Sequence, residues 1–179
     1  LGWRGSAQLS TANFKFAPSS LSLDGSGDDV YWDPSPDWQF GDGQFTVDCW
    51  LRNTSATGSR WIVGQGTGLS APDLSTSSWA LWILNNVPRL SYNNGTTWVD
   101  VVATSATSTS AFTHVAIDRD ASKKIRIYVN GVMEGFDTTG ATFATNSQFL
   151  TIGQPTTGPT ALDIIGNIDE LQILKREAA

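Results

Sequence analysis

Along most of the chain apolar and polar residues alternate, and clusters of Gly, Pro, Asn, Asp or Ser break the alternation at intervals of about eight to twelve residues. That period of two is the signature of strands with one buried face, and no stretch carries the three-to-four spacing of an amphipathic helix. Residues 112–132 show it best. Val115 and Ile117 share one face of a first strand, with Phe112, His114 and Ala116 on the other; Ile125, Ile127 and Val129 share a face of a second strand, opposite Arg126, Tyr128 and Asn130. The charged run 118–124 supplies the hairpin loop, and Asn130-Gly131 supplies residues that accept positive φ in a two-residue turn.

Elsewhere the same logic predicts strands over 20–23, 30–32, 45–52, 61–63, 79–84, 87–92, 98–102, 149–153 and within 164–174. Asn85-Asn86 is expected to turn the 79–92 hairpin, although Pro88 weakens its ladder. In the last strand Ile168 has one parity and Leu171 and Ile173 the other, which predicts a bulge near 167–169. Residues 64–78 and 154–160 read as loops, and the Ser/Thr/Ala tract 104–110 as too polar for a core. About eleven to thirteen strands with short connections describe an all-β, two-sheet antiparallel sandwich. Residues 1–18 form an N-terminal arm or edge strand, 19–176 the domain and 177–179 a tail.

Composition narrows the function. With 179 residues, 40% of them hydrophobic and eight of them Trp, the chain fits one domain with a large core. The single Cys49 excludes an internal disulfide and is expected to be a small buried hydrophobe. A net charge of -6 argues against a phosphate-tracking nucleic-acid surface. No run of eighteen apolar residues offers a membrane-spanning helix, and a chain opening on Leu1 is expected to be a mature fragment or a domain of something longer.

Four stretches in order, 19–32 (SSLSLDGSGDDVYW), 40–52 (FGDGQFTVDCWLR), 112–132 (FTHVAIDRDASKKIRIYVNGV) and 165–174 (IGNIDELQIL), resemble the laminin-G-like, concanavalin A-like lectin-glucanase jelly-roll family, in particular members found in tailed-phage virion proteins. The resemblance covers residues 8–176. It implies a jelly roll of two curved sheets serving as a glycan-binding or protein-contact module on a virion or extracellular surface, with rim loops that can hold calcium.

Catalysis finds little support in the residues. Glycoside hydrolysis needs two carboxylates about 5 to 10 Å apart. The Glu-x-Asp-x-Glu strand of the glucanases on this fold is missing, and only Glu134, Glu170 and Glu177 occur, while Asp118 and Asp120 read as solvated turn residues. His114, the one His, has no Gly-x-Ser-x-Gly elbow to serve and is expected to be packed and hydrogen-bonded, with its hairpin away from any ligand. Asp24, Asp28 and Asp169 are calcium candidates; the alternative is that the Asp residues bond their own turns. For glycan, stacking rings and amides at turns single out Trp79, Trp82, Tyr92, Asn94 and Trp98, with Trp79 and Trp82 on opposite faces of one strand. The competing expectation is a structural virion domain that contacts other subunits or copies of itself, its aromatic excess serving an interface.

Overall fold

The computed structural model of the protein describes residues 1–69, 76–156 and 162–176. Among these, fourteen strands form two antiparallel sheets of seven, and a 3₁₀ turn lies at Pro36–Trp38. In chain order they are β1 Gly2–Arg4, β2 Gln8–Ser10, β3 Ser20–Asp24, β4 Asp29–Trp32, β5 Gln44–Asn53, β6 Ser59–Gln65 and β7 Trp79–Leu84. Then follow β8 Val87–Asn93, β9 Trp98–Val102, β10 Thr113–Arg119, β11 Ile125–Val129, β12 Val132–Asp137, β13 Leu150–Ile152 and β14 Ile165–Arg176. The first sheet runs β1-β4-β13-β6-β7-β8-β9 and the second β12-β11-β10-β5-β14-β3-β2. This is the expected all-β jelly-roll sandwich, and the N-terminal arm lends an edge strand to each sheet.

Alternation decides which side chains meet between the sheets. Phe45, Val47, Cys49 and Leu51 of β5, Val115 and Ile117 of β10, and Ile125, Ile127 and Val129 of β11 are all buried. They face Trp79, Leu81 and Ile83 of β7 and Leu90 and Tyr92 of β8. Each fully buried aliphatic side chain here contributes about 1.5–3 kcal/mol of transfer free energy. Burial pushes the Cys49 thiol up to about 12, so it packs as a hydrophobe and not as a nucleophile.

The turns obey the local chemistry read from the chain. Asn85 and Asn86 (φ 50° and 65°), like Asn130 and Gly131 (φ 50° and 79°), take the paired left-handed conformations of a tight hairpin turn. The β8 ladder continues through Pro88, whose carbonyl accepts the Ala103 N–H at 3.0 Å. The bulge in β14 lies slightly beyond its expected place: register shifts between Asp169 and Gln172, with Glu170 at φ 49°. That one insertion brings Ile168, Leu171 and Ile173 to the same inner side.

Two readings change. In the Ser/Thr tract 104–110, Thr107 is buried, its N–H bonded to the Asn86 carbonyl. Arg119, assigned by its charge to a solvated loop, closes β10 and is 2% exposed. Its guanidinium lies over the rings of Phe45 (5.3 Å) and Phe143 (4.8 Å) and donates to the carbonyls of Phe40, Gly41, Gly43 and Ala141. Replacing it with Ala strips those carbonyls of their donors and opens a cavity, so Arg119→Ala is expected to cost about 3–5 kcal/mol. Arg119→Lys, lacking the planar fork, is expected to restore less than half of that. Urea denaturation midpoints at unchanged m-value provide the measurement.

Candidate functional site

Because side chains on paired strands stand opposite one another, the outward face of the second sheet is laid out in rows. Across β14, β5 and β10 the first row is Asp169, Trp50, His114. The second is Gln172, Asp48, Ala116, extended by Tyr128 of β11 and Met133 of β12. The third is Leu174, Thr46, Asp118, extended by Arg126 and Phe136. Ala116, the smallest side chain in these rows, stands between Asp48 and Tyr128. At the start of β5 the face dips into a groove of about 170 Å³ whose lining includes Gln44, Thr46, Asp118, Asp120, Leu174 and Arg176. From the Trp50 row to Gln44 this face runs six residues, roughly 20 Å at strand rise.

The walls are aromatic at one end and charged on one flank. Trp50 stands between His114, at 5.2 Å between ring centroids, and the arm, where Lys15 lies 4.1 Å over its ring and Phe16 meets it edge-on at 5.8 Å. His114 Nε2 lies 3.4 Å from Asp48 Oδ1, with both side chains about a quarter exposed. On the flank, Arg126 forks onto Asp118 at 2.8 and 2.7 Å and reaches Asp120 at 3.1 Å. The Asp118 pairing holds the Arg126 guanidinium above even its ordinary value, and a hydrogen bond from Ser122 holds Asp120 below the usual carboxylate range. Burial raises the Tyr128 phenol, helped by the charge of Asp118. The groove thus offers hydroxyl and carboxylate hydrogen-bonding groups between rings and aliphatic side chains.

The residues chosen from sequence for glycan contact do not meet in one place. Trp79 and Tyr92 are fully buried between the sheets, a correction to their choice as ligand contacts. Trp79 packs on Phe40 at 4.7 Å and donates from Nε1 to the Trp38 carbonyl; Tyr92 stacks on Phe143 at 4.3 Å and donates to Asp137. Trp82 does face outward from the first sheet, yet it is 7% exposed, packed with Trp61, Ala80, Leu69, Leu84 and Leu162. Its Nε1 donates to Ser91 Oγ. Asn94 is spent on its own turn, accepting from Thr96 and Thr97 N–H groups. Trp98, opposite Asn93 on that outer face, is half-buried. The rows around Asp48, His114 and Tyr128 lie outside the residues that the sequence singles out for glycan. Alternation does place Thr46, Asp48, Trp50 and Arg52 together on one face of the 45–52 strand.

A family description, the concanavalin A-like lectin/glucanases superfamily, matches residues 24–178. The chain belongs to that superfamily. Among solved structures, the binding domain of Paraclostridial Mosquitocidal Protein 1 is similar at 14% identity and a TM-score of 0.72, over 96% of this chain and 42% of that one. Domain 4 of AbnA, a GH43 extracellular arabinanase from Geobacillus stearothermophilus in complex with arabinotriose, is similar at 16% identity and 0.71, over 98% and 78%. The Ruminococcus gnavus IT-sialidase CBM40 bound to α2,3 sialyllactose is similar at 17% and 0.66, over 89% and 90%. The chain therefore spans well under half the length of the toxin binding domain it matches. At these identities the likeness is one of fold. No curated protein matches the chain.

Calcium, which the superfamily's rim loops suggest, does not fit the residues chosen for it. Register puts Asp24 opposite Ile165 and Asp169 opposite Trp50, at opposite ends of the β3–β14 pairing, and Asp169 instead accepts the Lys15 and Phe16 N–H groups at 2.7 and 3.0 Å. Asp28 is buried and occupied: Oδ1 accepts from Ser6 N–H and Oδ2 from Asp24 N–H. Asp24 itself accepts from Ser26 N–H and Ser6 Oγ, so these carboxylates close the 24–28 turn onto the arm. Among the described residues no three acidic, His or Cys side chains converge as a metal set.

Asp163 joins this turn. Its Oδ2 accepts the Gly27 N–H at 2.7 Å, while its buried Oδ1 has no partner. Burial raises its carboxyl above the usual range, reinforced by the charges of Asp28 and Asp29. A raised folded pKa means that ionisation costs stability: the penalty is absent below the unfolded carboxyl value and grows as pH rises through the folded one. Asp163→Asn keeps the acceptor for Gly27 and removes the charge. Its melting temperature is expected to exceed the wild type's by about 2–4 °C at pH 7, and the two curves to coincide below about pH 4. A lower melting temperature at pH 7 would show that the charge is needed.

Proposed function

We propose that this domain is a non-catalytic glycan-recognition module whose ligand lies in the groove along β5, on the outward face of the second sheet. The observation that carries the reading is the composition of that groove and of the sheet face that leads into it. Half-buried Asp48, Tyr128 and His114 present hydrogen-bonding groups beside the Trp50 wall, on strands braced from behind by the core. Sugars are held by this combination of ring faces and oriented polar groups. Solved structures of this fold include one in complex with arabinotriose and one bound to sialyllactose, which supports the reading for this chain.

Catalysis by a glycosidase pair needs one carboxyl kept protonated at the scissile bond. The carboxyls raised above their usual range are Asp29 and Asp163, both buried, Asp29 against Arg4 and Asp163 against the Gly27 turn. In the groove, Asp118 and Asp120 are both paired with Arg126, and the Ser122 hydrogen bond holds Asp120 below the usual carboxylate range. Binding without turnover is the reading these environments favour. The four sequence stretches that resemble phage virion members support a virion or other extracellular surface as the setting of such a module.

A second reading, contact with other protein subunits, has its own support. The rim of the sandwich exposes Trp3 (46%), Leu9 (65%), Val132 (61%) and Phe136 (58%), on the edge strands β1, β2 and β12. Such unpaired edges suit association with neighbouring subunits or a second copy.

Affinity electrophoresis through soluble polysaccharides separates the two. Retardation by at least one polysaccharide is expected, and Asp48→Ala with Tyr128→Ala is expected to weaken it at least tenfold, about 1.4 kcal/mol, at unchanged melting temperature. Full retention in that double variant, with loss in Trp98→Ala, would move the site to the first sheet. A size-exclusion profile with light scattering that reports a stable oligomer, together with no retardation, would favour the subunit reading.

A further inference from the structure

We infer that Lys15 is a ligand-contacting residue, its ammonium held by the Trp50 ring as a hydrogen-bond donor at the Trp50 end of the face that leads into the groove; the inference rests on that face being the glycan site. The placement begins in the backbone. Asp169 Oδ2 accepts the N–H groups of Lys15 at 2.7 Å and of Phe16 at 3.0 Å, which ties the arm to β14 beside Trp50. Phe16 then meets the Trp50 ring edge-on at 5.8 Å, and Lys15 Nζ lies 4.1 Å from the centroid of that ring. His114 stands opposite Trp50 on β10, at 5.2 Å between ring centroids. On its arm side, therefore, Trp50 presents an ammonium to a ligand in place of a bare ring.

The means of holding it decides what the ammonium can do. A lysine stem is flexible, and a carboxylate that fixed it would also consume its donors. An indole face attracts the cation through the ring quadrupole and leaves the N–H groups that point away from the ring unspent. Lys15 is exposed, and among the described residues no carboxylate or carbonyl oxygen accepts from its Nζ. Arg126, on the flank, is held the other way, by Asp118 and Asp120. A hydroxyl both donates and accepts. Asp48 lies two residues from Trp50 on the same face, about 7 Å along β5, and supplies an acceptor, so the face offers both of the partners that sugar hydroxyls need. A donor already placed before the ligand arrives also avoids the ordering cost of a mobile side chain.

The test is affinity electrophoresis of the intact chain through gels containing soluble arabinan, galactan or xylan. Lys15→Met keeps a stem over the ring and removes the donors; it is expected to weaken binding to whichever of these retards the wild type three- to tenfold, at unchanged melting temperature. Lys15→Arg keeps a cation on the ring together with its donors and is expected to hold the affinity within twofold. Trp50→Leu is expected to weaken binding as Lys15→Met does, and the double variant no further than either alone, because the ring acts through the ammonium. Without ligand, proton NMR is expected to show the Lys15 Hε resonances shifted upfield by the Trp50 ring and back at their ordinary position in Trp50→Leu. Tighter binding by Lys15→Met would show that the ammonium keeps the ligand off the ring and would overturn the inference, as would unchanged binding; both leave the face as the glycan site so long as Asp48→Ala with Tyr128→Ala still weakens retardation. Retardation untouched by that pair of substitutions, or no retardation of the wild type in any of the gels, would overturn the glycan reading of this face and the role of Lys15 with it.

Discussion

At one end of the sandwich the two sheets are joined by stacked rings assembled around a buried guanidinium. Phe40 lies parallel to Phe45 at 4.1 Å, and Tyr92 parallel to Phe143 at 4.3 Å; Arg119 covers Phe45 and Phe143 and donates to the carbonyls of the 40–43 turn. Phe45 and Arg119 come from the second sheet, Trp79 and Tyr92 from the first, and Phe40 and Phe143 from connecting segments. Burying a charge is costly unless its donors are met, and here backbone carbonyls meet them. The same guanidinium therefore sets the spacing of the sheets and the path of the loop that begins β5.

That constraint reaches the outward face. Strands β5 and β10 carry the stack inward on Phe45 and Arg119, and their next residues outward, Thr46 and Asp118, form one row of the groove. With inner positions locked, the outer rows have one register, which fixes the places of Asp48, His114 and Tyr128 along the face. A groove on a braced sheet needs little reorganisation to hold a ligand, which is the advantage a sheet has over a mobile loop as a recognition surface.

The 24–28 turn shows how acidic residues can serve structure in a place that suggests metal. Asp28 reaches the arm through Ser6, Arg4 pairs with Asp29 at 2.6 Å, and Asp163 holds Gly27. Asp28 and Asp163 accept N–H groups that the turn and arm leave unpaired and Asp29 accepts from the Arg4 guanidinium, so the cluster closes one end of the sandwich from within the chain. Its cost is the ionisation of Asp163, whose second oxygen has no donor.

Strand alternation, the Asn-Asn and Asn-Gly turns and the parity break at Ile168 and Leu171 were legible in the sequence, because each depends only on neighbours along the chain. So was the superfamily, through motifs that record those same local rules in order. Which face of each strand would be covered was not legible. Trp79, Trp82 and Tyr92 share strands with open positions, and their burial depends on Phe40, Phe143, Leu69 and Leu162, brought from distant segments. Arg119 reads as solvated by its charge and is buried because carbonyls 76 to 79 positions away accept from it. Periodicity along a chain determines that a strand has two faces; only the packing of one sheet on another decides which face is left to meet a ligand.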